Sequence, residues 1–423
     1  MTGLHALLFL FYLLVFCILI KKSGLFSHPF IGKNVFAFIF VLRVIAGIAY
    51  AYIYSRPKYV IHSDAWAIFR ASLAEYKLLL HDPWSFLKTI VLFDNENTSF
   101  TSFAPTDSSY WNVLKEVLLI KFEALLNVLS FGNYYVNMLL FGFLIMQGSN
   151  LFFRVLENRF PGKSYLNLFA AFLVPSTMFW TSAVYKDGIL LLLMFVIFRQ
   201  TQKWLDREEG KLHYILVLTL SLTALFFLRT YSALLIIPAI ALWIVSEKFK
   251  VNAWKAFAAG YAFCGLVIFI STWLSPEMNP LRILAAWQNA FIELKANSFL
   301  PARLLEPNVR GVLKNFPQSF NFGFLRPLLW ENKGLQYLPF AVELTALQAL
   351  FLYALYKRTG WKSLSVCLLV LGLSGLLFLG YTVNIIGAIV RYRSIYMPFL
   401  FAAVLSSIPD GSLSKTYRFR RSQ

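Results

Sequence analysis

A single carboxylate stands where a membrane protein could use one. Asp64 lies in Tyr59-Val-Ile-His-Ser-Asp-Ala-Trp66, directly after an apolar run (34–55) long enough to cross a bilayer. After it, Trp66, Phe69, Leu73, Tyr76 and Leu80 recur at helical spacing, with Arg70, Glu75 and Lys77 on the other side. That pattern predicts an amphipathic helix lying along a membrane surface. A carboxylate at such a junction can take a proton from a hydroxyl as a general base. The competing reading is a helix cap supplied by Ser63 or Asp64. His62 beside it reads as a local hydrogen-bonding partner of the same site, since no ligand spacing for a metal surrounds it.

Further ionisable residues fall at the ends of apolar runs. Lys186 and Asp187 follow Pro175-Ser-Thr-Met-Phe-Trp-Thr-Ser-Ala-Val-Tyr, Arg229 precedes Thr230 and Tyr231, and Arg391-Tyr-Arg393 opens the last run. Arg326 and Glu331 belong to an aromatic tract, 316–330 and the residue after it, in a polar loop. Charges at membrane depth are costly and mark cavities or partners. Four cationic sites at span ends suit a shared anion, and the arginine fork suits phosphate in particular. Each also has a structural reading. Lys186 can pair with Asp187, and Arg229, Arg391 and Arg393 can anchor to lipid headgroups.

The elements that must hold these residues are membrane helices. The chain has 423 residues, 59% of them hydrophobic and only 14% charged. Such a composition predicts an all-α, polytopic transmembrane bundle formed as one integral domain, 1–423. Apolar runs give about eleven spans: 4–20, 34–55, 134–153, 165–182, 188–198, 212–228, 231–245, 256–274, 338–356, 364–383 and 395–408. The fifth is short and is expected to begin inside the membrane. Residues 113–129, with four charges, read as a surface or partly buried helix.

The formal charge of +19 is spread over short loops, which favours membrane orientation and lipid contact over nucleic acid. Lys21, Lys22, Arg159, Lys163, Lys203, Lys211, Lys248 and Lys250 then mark the cytoplasmic side. The N-terminus is expected outside and the C-terminus inside. Two long extracytoplasmic loops, 56–132 and 275–337, would carry surface helices at 65–80, after Asp82-Pro83, and at 280–295. The three cysteines are far apart in apolar runs and give neither a disulfide framework nor a metal site. Walker and dinucleotide glycine patterns are missing.

With many spans, a long first outward loop and an acid near that loop's start, the chain resembles the C-type membrane glycosyltransferase superfamily. Phe179-Trp-Thr-Ser-Ala-Val-Tyr-Lys-Asp187 is similar to a segment of uncharacterised bacterial envelope-polysaccharide membrane proteins. Two departures stand out: Asp64 is followed by Ala65 where the family often has a paired acid, and no large soluble C-terminal domain follows. The resemblance implies transfer of a sugar from a polyprenyl-phosphate donor, at the outer face of a bacterial inner membrane, to a saccharide, lipid or protein acceptor. Asp64 would be the base, and Lys186, Arg229, Arg391 and Arg393 would stabilise the phosphate leaving group. The aromatic tract would cover the lipid tail. No soluble cofactor or metal is required by this scheme, although Asp64 with Asp94, Glu96 or Asp107 could hold a divalent ion. A polysaccharide polymerase or ligase would use the same donor. A transporter or flippase would need a polar path through the membrane, for which Arg43, inside the second span, is the best single residue.

Overall fold

The computed structural model describes residues 3–60, 63–90, 110–208, 210–274, 279–294, 296–331, 334–357 and 360–409. Among them the regular structure is helical, apart from one isolated bridge between Phe299 and Ile385. In chain order the helices are α1 (Gly3–Lys22), α2 (Lys33–Tyr54), α3 (Pro57–Val60), α4 (Asp64–His81), α5 (Pro83–Lys88), α6 (Tyr110–Ser130) and α7 (Tyr134–Arg159). Then come α8 (Ser164–Leu168), α9 (Pro175–Trp180), α10 (Lys186–Leu205), α11 (Lys211–Leu228), α12 (Thr230–Lys248) and α13 (Ala253–Leu274). The series ends with α14 (Pro280–Ile292), α15 (Val309–Phe320), α16 (Leu338–Tyr356), α17 (Ser363–Thr382), α18 (Ile386–Arg393) and α19 (Met397–Ser407).

Nine of these helices are long and apolar enough to cross a membrane, or ten if the α18–α19 pair, bent by 58°, counts as one span. Two expectations change here. The run 165–182 is not one helix: α8 passes into a π-helical turn, Phe169–Leu173, and Val174 adopts an extended ψ of 115° before α9 starts at Pro175. The cause is local, because a residue preceding proline is pushed out of the helical region and proline cannot donate to the ladder. The fifth span is not short either, since α10 runs for 20 residues. Its polar first turn and its C-terminal Arg199–Lys203 stretch are helical although they are not apolar, so hydropathy alone trims both ends.

The chain folds as two compact units interleaved along the sequence. The first comprises 1–151, 178–195 and 223–228. Here α4 packs along α6, burying Ala65, Ile68, Phe69 and Ser72. Trp66 stacks on Tyr134 with ring centroids 4.1 Å apart. Lys121 fastens the assembly: its Nζ donates to Glu75 of α4 at 2.5 Å, to the Phe86 carbonyl of α5 at 2.9 Å and to Thr89 at 2.7 Å. The predicted cap of α5 is present, with Asp82 accepting from the Ser85 amide at 3.0 Å. Close helix approach needs missing side chains: a Cβ on Gly188 of α10 would meet Phe141 at 2.6 Å, and one on Gly148 of α7 would meet Leu192 at 2.6 Å. Those two contacts make α7 and α10 run parallel there.

The second unit comprises 152–177, 196–222 and 229–423. Its centre is α17, buried over most of its length and flanked by α12, α13, α14, α15 and α19. A second π-helical turn, Asn321–Leu325, follows α15. The backbones cross closely here, since a Cβ on Gly323 would lie 2.2 Å from the Leu376 carbonyl, and one on Gly380 would lie 1.9 Å from the Ser319 carbonyl. Backbone cannot give way as a flexible side-chain end can. Gly380→Ala is therefore expected to cost about 1–3 kcal/mol by overpacking. A matched pair of thermal melts checks this, and a Tm equal to the parent's would refute the close crossing.

Candidate functional site

In the first unit the acid of interest opens α4. Ser63, not Asp64, occupies the N-cap position, its side chain makes no capping bond, and Asp64 is the first helical residue and exposed to solvent. A carboxylate in the first turn is favoured by the amide dipoles. The capping role thus falls to neither side chain, while Asp64 keeps an accessible carboxylate. One turn further, Ile68 is buried in a cluster with Leu119 and Tyr185. Residues four apart share a helix face, so Asp64 stands on the face that meets Tyr185, the neighbour of Lys186. The Lys186 ammonium lies 5.1 Å from the Tyr185 ring centroid, and Asp187 is fully buried. Asp64 thus lies one turn before Ile68, and the Lys186–Asp187 pair directly follows Tyr185, the residue that packs on Ile68. His62, Asp94, Glu96 and Asp107 lie outside the described residues.

The segment leading to Lys186 is held by the residue that seemed to offer a transport path. Arg43 is buried within α2 and donates from Nη2 to both the carbonyl and the hydroxyl of Thr181, at 2.7 Å each. Phe179 and Trp180 pack on Tyr50, with centroids 5.5 and 6.0 Å away. Arg43 is thus an anchor for the 179–187 motif. Sequence reading missed this partner because the two residues are 138 positions apart.

The second unit gathers the arginines differently. The Arg229 guanidinium lies 4.4 Å from the centroid of the Tyr392 ring and 5.6 Å from that of Tyr231, and Arg391 lies 5.9 Å from Tyr392. Arg229 and Arg391 therefore share one tyrosine, with Trp287 and Phe291 of α14 beside Tyr231 and Tyr392. Arg393 diverges from Arg391, as residues two apart on a helix do. It is 2% exposed and donates to the Arg326 carbonyl at 2.6 Å, within electrostatic range of Glu343. Glu343, buried, accepts from the amide and hydroxyl of Ser176 at 2.6 and 2.5 Å, and Thr177 donates to the Ser394 carbonyl at 2.6 Å. Arg326 pairs with Glu331. No signal in the sequence marked Glu343, which sits inside an apolar run.

Beside this polar knot lies an apolar groove of about 650 Å³ between α15, α16, α17 and α19. Phe316, Phe320 and Phe324 form one wall as a ladder, with centroid spacings of 6.3 and 4.8 Å. Gln348 and Ser374 are its polar side chains, and Gln348 donates to the Phe324 carbonyl at 2.5 Å. Comparison with protein-family models, curated proteins and solved structures gives no match for this chain. Among the described residues no group of three or more His, Cys, Asp or Glu side chains could hold a metal ion.

Proposed function

We propose that this chain is a membrane glycosyltransferase that moves a sugar from a polyprenyl-phosphate donor to an acceptor hydroxyl at the extracytoplasmic face. The observation that carries the reading is the apolar groove, which reaches Leu325, next to Arg326, whose carbonyl accepts from Arg393 of α18. Its volume falls within the range of small-ligand sites of about 300–1,000 Å³, and its walls suit a hydrocarbon chain. In a bilayer such a chain gains little by leaving other lipid tails, so headgroup contacts must supply the selectivity. Arg393 ties α18 to Arg326, at the end of the phenylalanine ladder, and the same short helix carries Arg391 next to Arg229. These two guanidiniums take the phosphate, with charge-assisted, two-pronged hydrogen bonds.

In the reaction the acceptor oxygen bonds to the anomeric carbon as the bond from that carbon to the phosphate oxygen breaks. The proton of the acceptor hydroxyl passes to Asp64, and the electron pair of the broken bond stays on the phosphate. Lys186, next to the Tyr185 that packs on Ile68, lowers the cost of the developing negative charge. The test is transfer itself: purified protein in vesicles, supplied with a polyprenyl-phosphate sugar, should release polyprenyl phosphate in step with glycosylated acceptor. Release without an acceptor product, or no release with any acceptor, sinks the reading.

The scheme also fixes a topology. In a cysteine-free background, Asn308→Cys should react with an impermeant reagent in intact cells. Lys250→Cys should react only after permeabilisation. The reverse pattern moves the site to the cytoplasmic face and removes the proposed donor.

A further inference from the structure

Glu123 of α6 has no part in the scheme above, yet among the described residues it is an acid with neither oxygen partnered. Its side chain is fully buried, and neither carboxylate oxygen has a hydrogen-bond partner among the described residues. Asn137 of α7 is its neighbour, also fully buried, and its Oδ1 has no partner either. The Asn137 Nδ2 donates to Asn127 Oδ1 at 2.6 Å, Asn127 Nδ2 donates to the Ser72 hydroxyl at 2.9 Å, and that hydroxyl donates to the Phe69 carbonyl at 2.8 Å. The chain has one direction throughout, and it lacks only a donor at its head. The Asn137 side chain favours the charged form of Glu123, but burial is the larger influence, and a carboxylate leaves the buried Asn137 Oδ1 and its own two oxygens without a donor at a cost. A carboxylic acid there supplies the missing hydrogen.

We infer that Glu123 is a buried proton-binding site, whose neutral carboxyl group donates to Asn137 and completes a hydrogen-bond chain from α6 through α7 to α4. The surroundings agree. Burial holds the Glu123 carboxyl well above the usual carboxylate range. Among the described residues Glu123 has no ion-pair partner: Lys121 of the same helix meets Glu75, Arg43 meets Thr181 and Lys186 lies beside Tyr185, while α4 and α6 also carry Arg70, Lys77, Lys115 and Glu116. Asp187 lies on α10, and Tyr134, Tyr135 and Tyr50 are the nearby phenols. No cation among these pairs with Glu123. Because the chain ends on the Phe69 carbonyl, the proton fastens α4, the helix that Asp64 begins.

The sign of the pH dependence follows from linkage. A proton retained in the folded state and released on unfolding stabilises the fold most at acid pH, below about 4.3 where a free glutamic acid is also protonated. That stability declines as the pH rises toward the folded-state value. In Glu123→Gln the amide Nε2 donates in place of the acid. The variant should melt within a few degrees of the parent at pH 6 and lose less Tm than the parent between pH 6 and 9. Infrared spectra of the parent at pH 7 should contain a protonated-carboxyl band that Glu123→Gln lacks and Asn137→Ala shifts. Absence of that band in the parent overturns the proposal, and so does a Glu123→Gln protein that unfolds or melts far lower at pH 6. A rise in parental Tm with sodium or calcium chloride that the variant lacks would put a metal ion in place of the proton, which also overturns it.

Discussion

Asp64→Asn should reduce turnover of a polyprenyl-phosphate sugar by roughly a hundredfold to ten-thousandfold, the usual effect of removing a general base. The fold should survive. Asp64 is the first residue of α4 and exposed, so the substitution removes a favourable charge in the first turn, worth about 0.3–1 kcal/mol. The packed face of α4, formed by Ala65, Ile68, Phe69 and Ser72, is untouched. Donor binding should persist as well, because the proposed phosphate contacts are Arg229 and Arg391. The measurement is turnover by purified parent and variant, with thermal melts and donor binding alongside. A variant that folds, binds donor and does not turn over supports the base. Near-normal turnover returns Asp64 to a purely structural role in the first turn.

The second large effect is on stability. Arg393→Met should destabilise the second unit by about 1–3 kcal/mol, the cost of leaving a buried acceptor without its donor. Arg393 is the side chain that meets the Arg326 carbonyl, and Glu343 faces it while holding Ser176. Removing the cation leaves the Arg326 carbonyl without its donor and takes a favourable charge from the electrostatic range of Glu343. Arg393→Met with Glu343→Leu should recover part of the loss, since replacing both members of a buried pair by apolar groups is often tolerated. Chemical or thermal unfolding of the three proteins gives the answer. If Arg393→Met melts with the parent but loses donor lipid, Arg393 is a phosphate ligand and the strut assignment is wrong. Arg229→Ala provides the contrast, with donor binding expected to fall and cooperative unfolding retained.

Composition and periodicity determined the class of this protein without help. A chain with 59% hydrophobic residues in separated runs of about twenty can satisfy its backbone in lipid only as helices, and nine such helices are present among the described residues. The amphipathic stretch after Asp64 and the Asp82-Pro83 cap were legible for the same reason, because helix period and capping chemistry are local. Asp64 itself could be picked out as a carboxylate at the end of a span, although not as the first residue of α4.

Tertiary structure decided the partners. Arg43 looked like a charge exposed to the membrane interior until Thr181, 138 positions away, supplied two acceptors. Arg391 and Arg393 looked like a pair, but a helix turns them apart, one toward Tyr392 and the other into a buried contact with Arg326. Glu343 was overlooked because hydropathy averages a single charge into its apolar surroundings, and Glu123 was read only as one of four charges in 113–129, while the cost of each is set by the few groups packed against it. The span at 165–182 failed for a related reason. Its average is apolar enough to cross a membrane, but one proline at position 175 and the backbone geometry it imposes on Val174 break the helix that the average predicts.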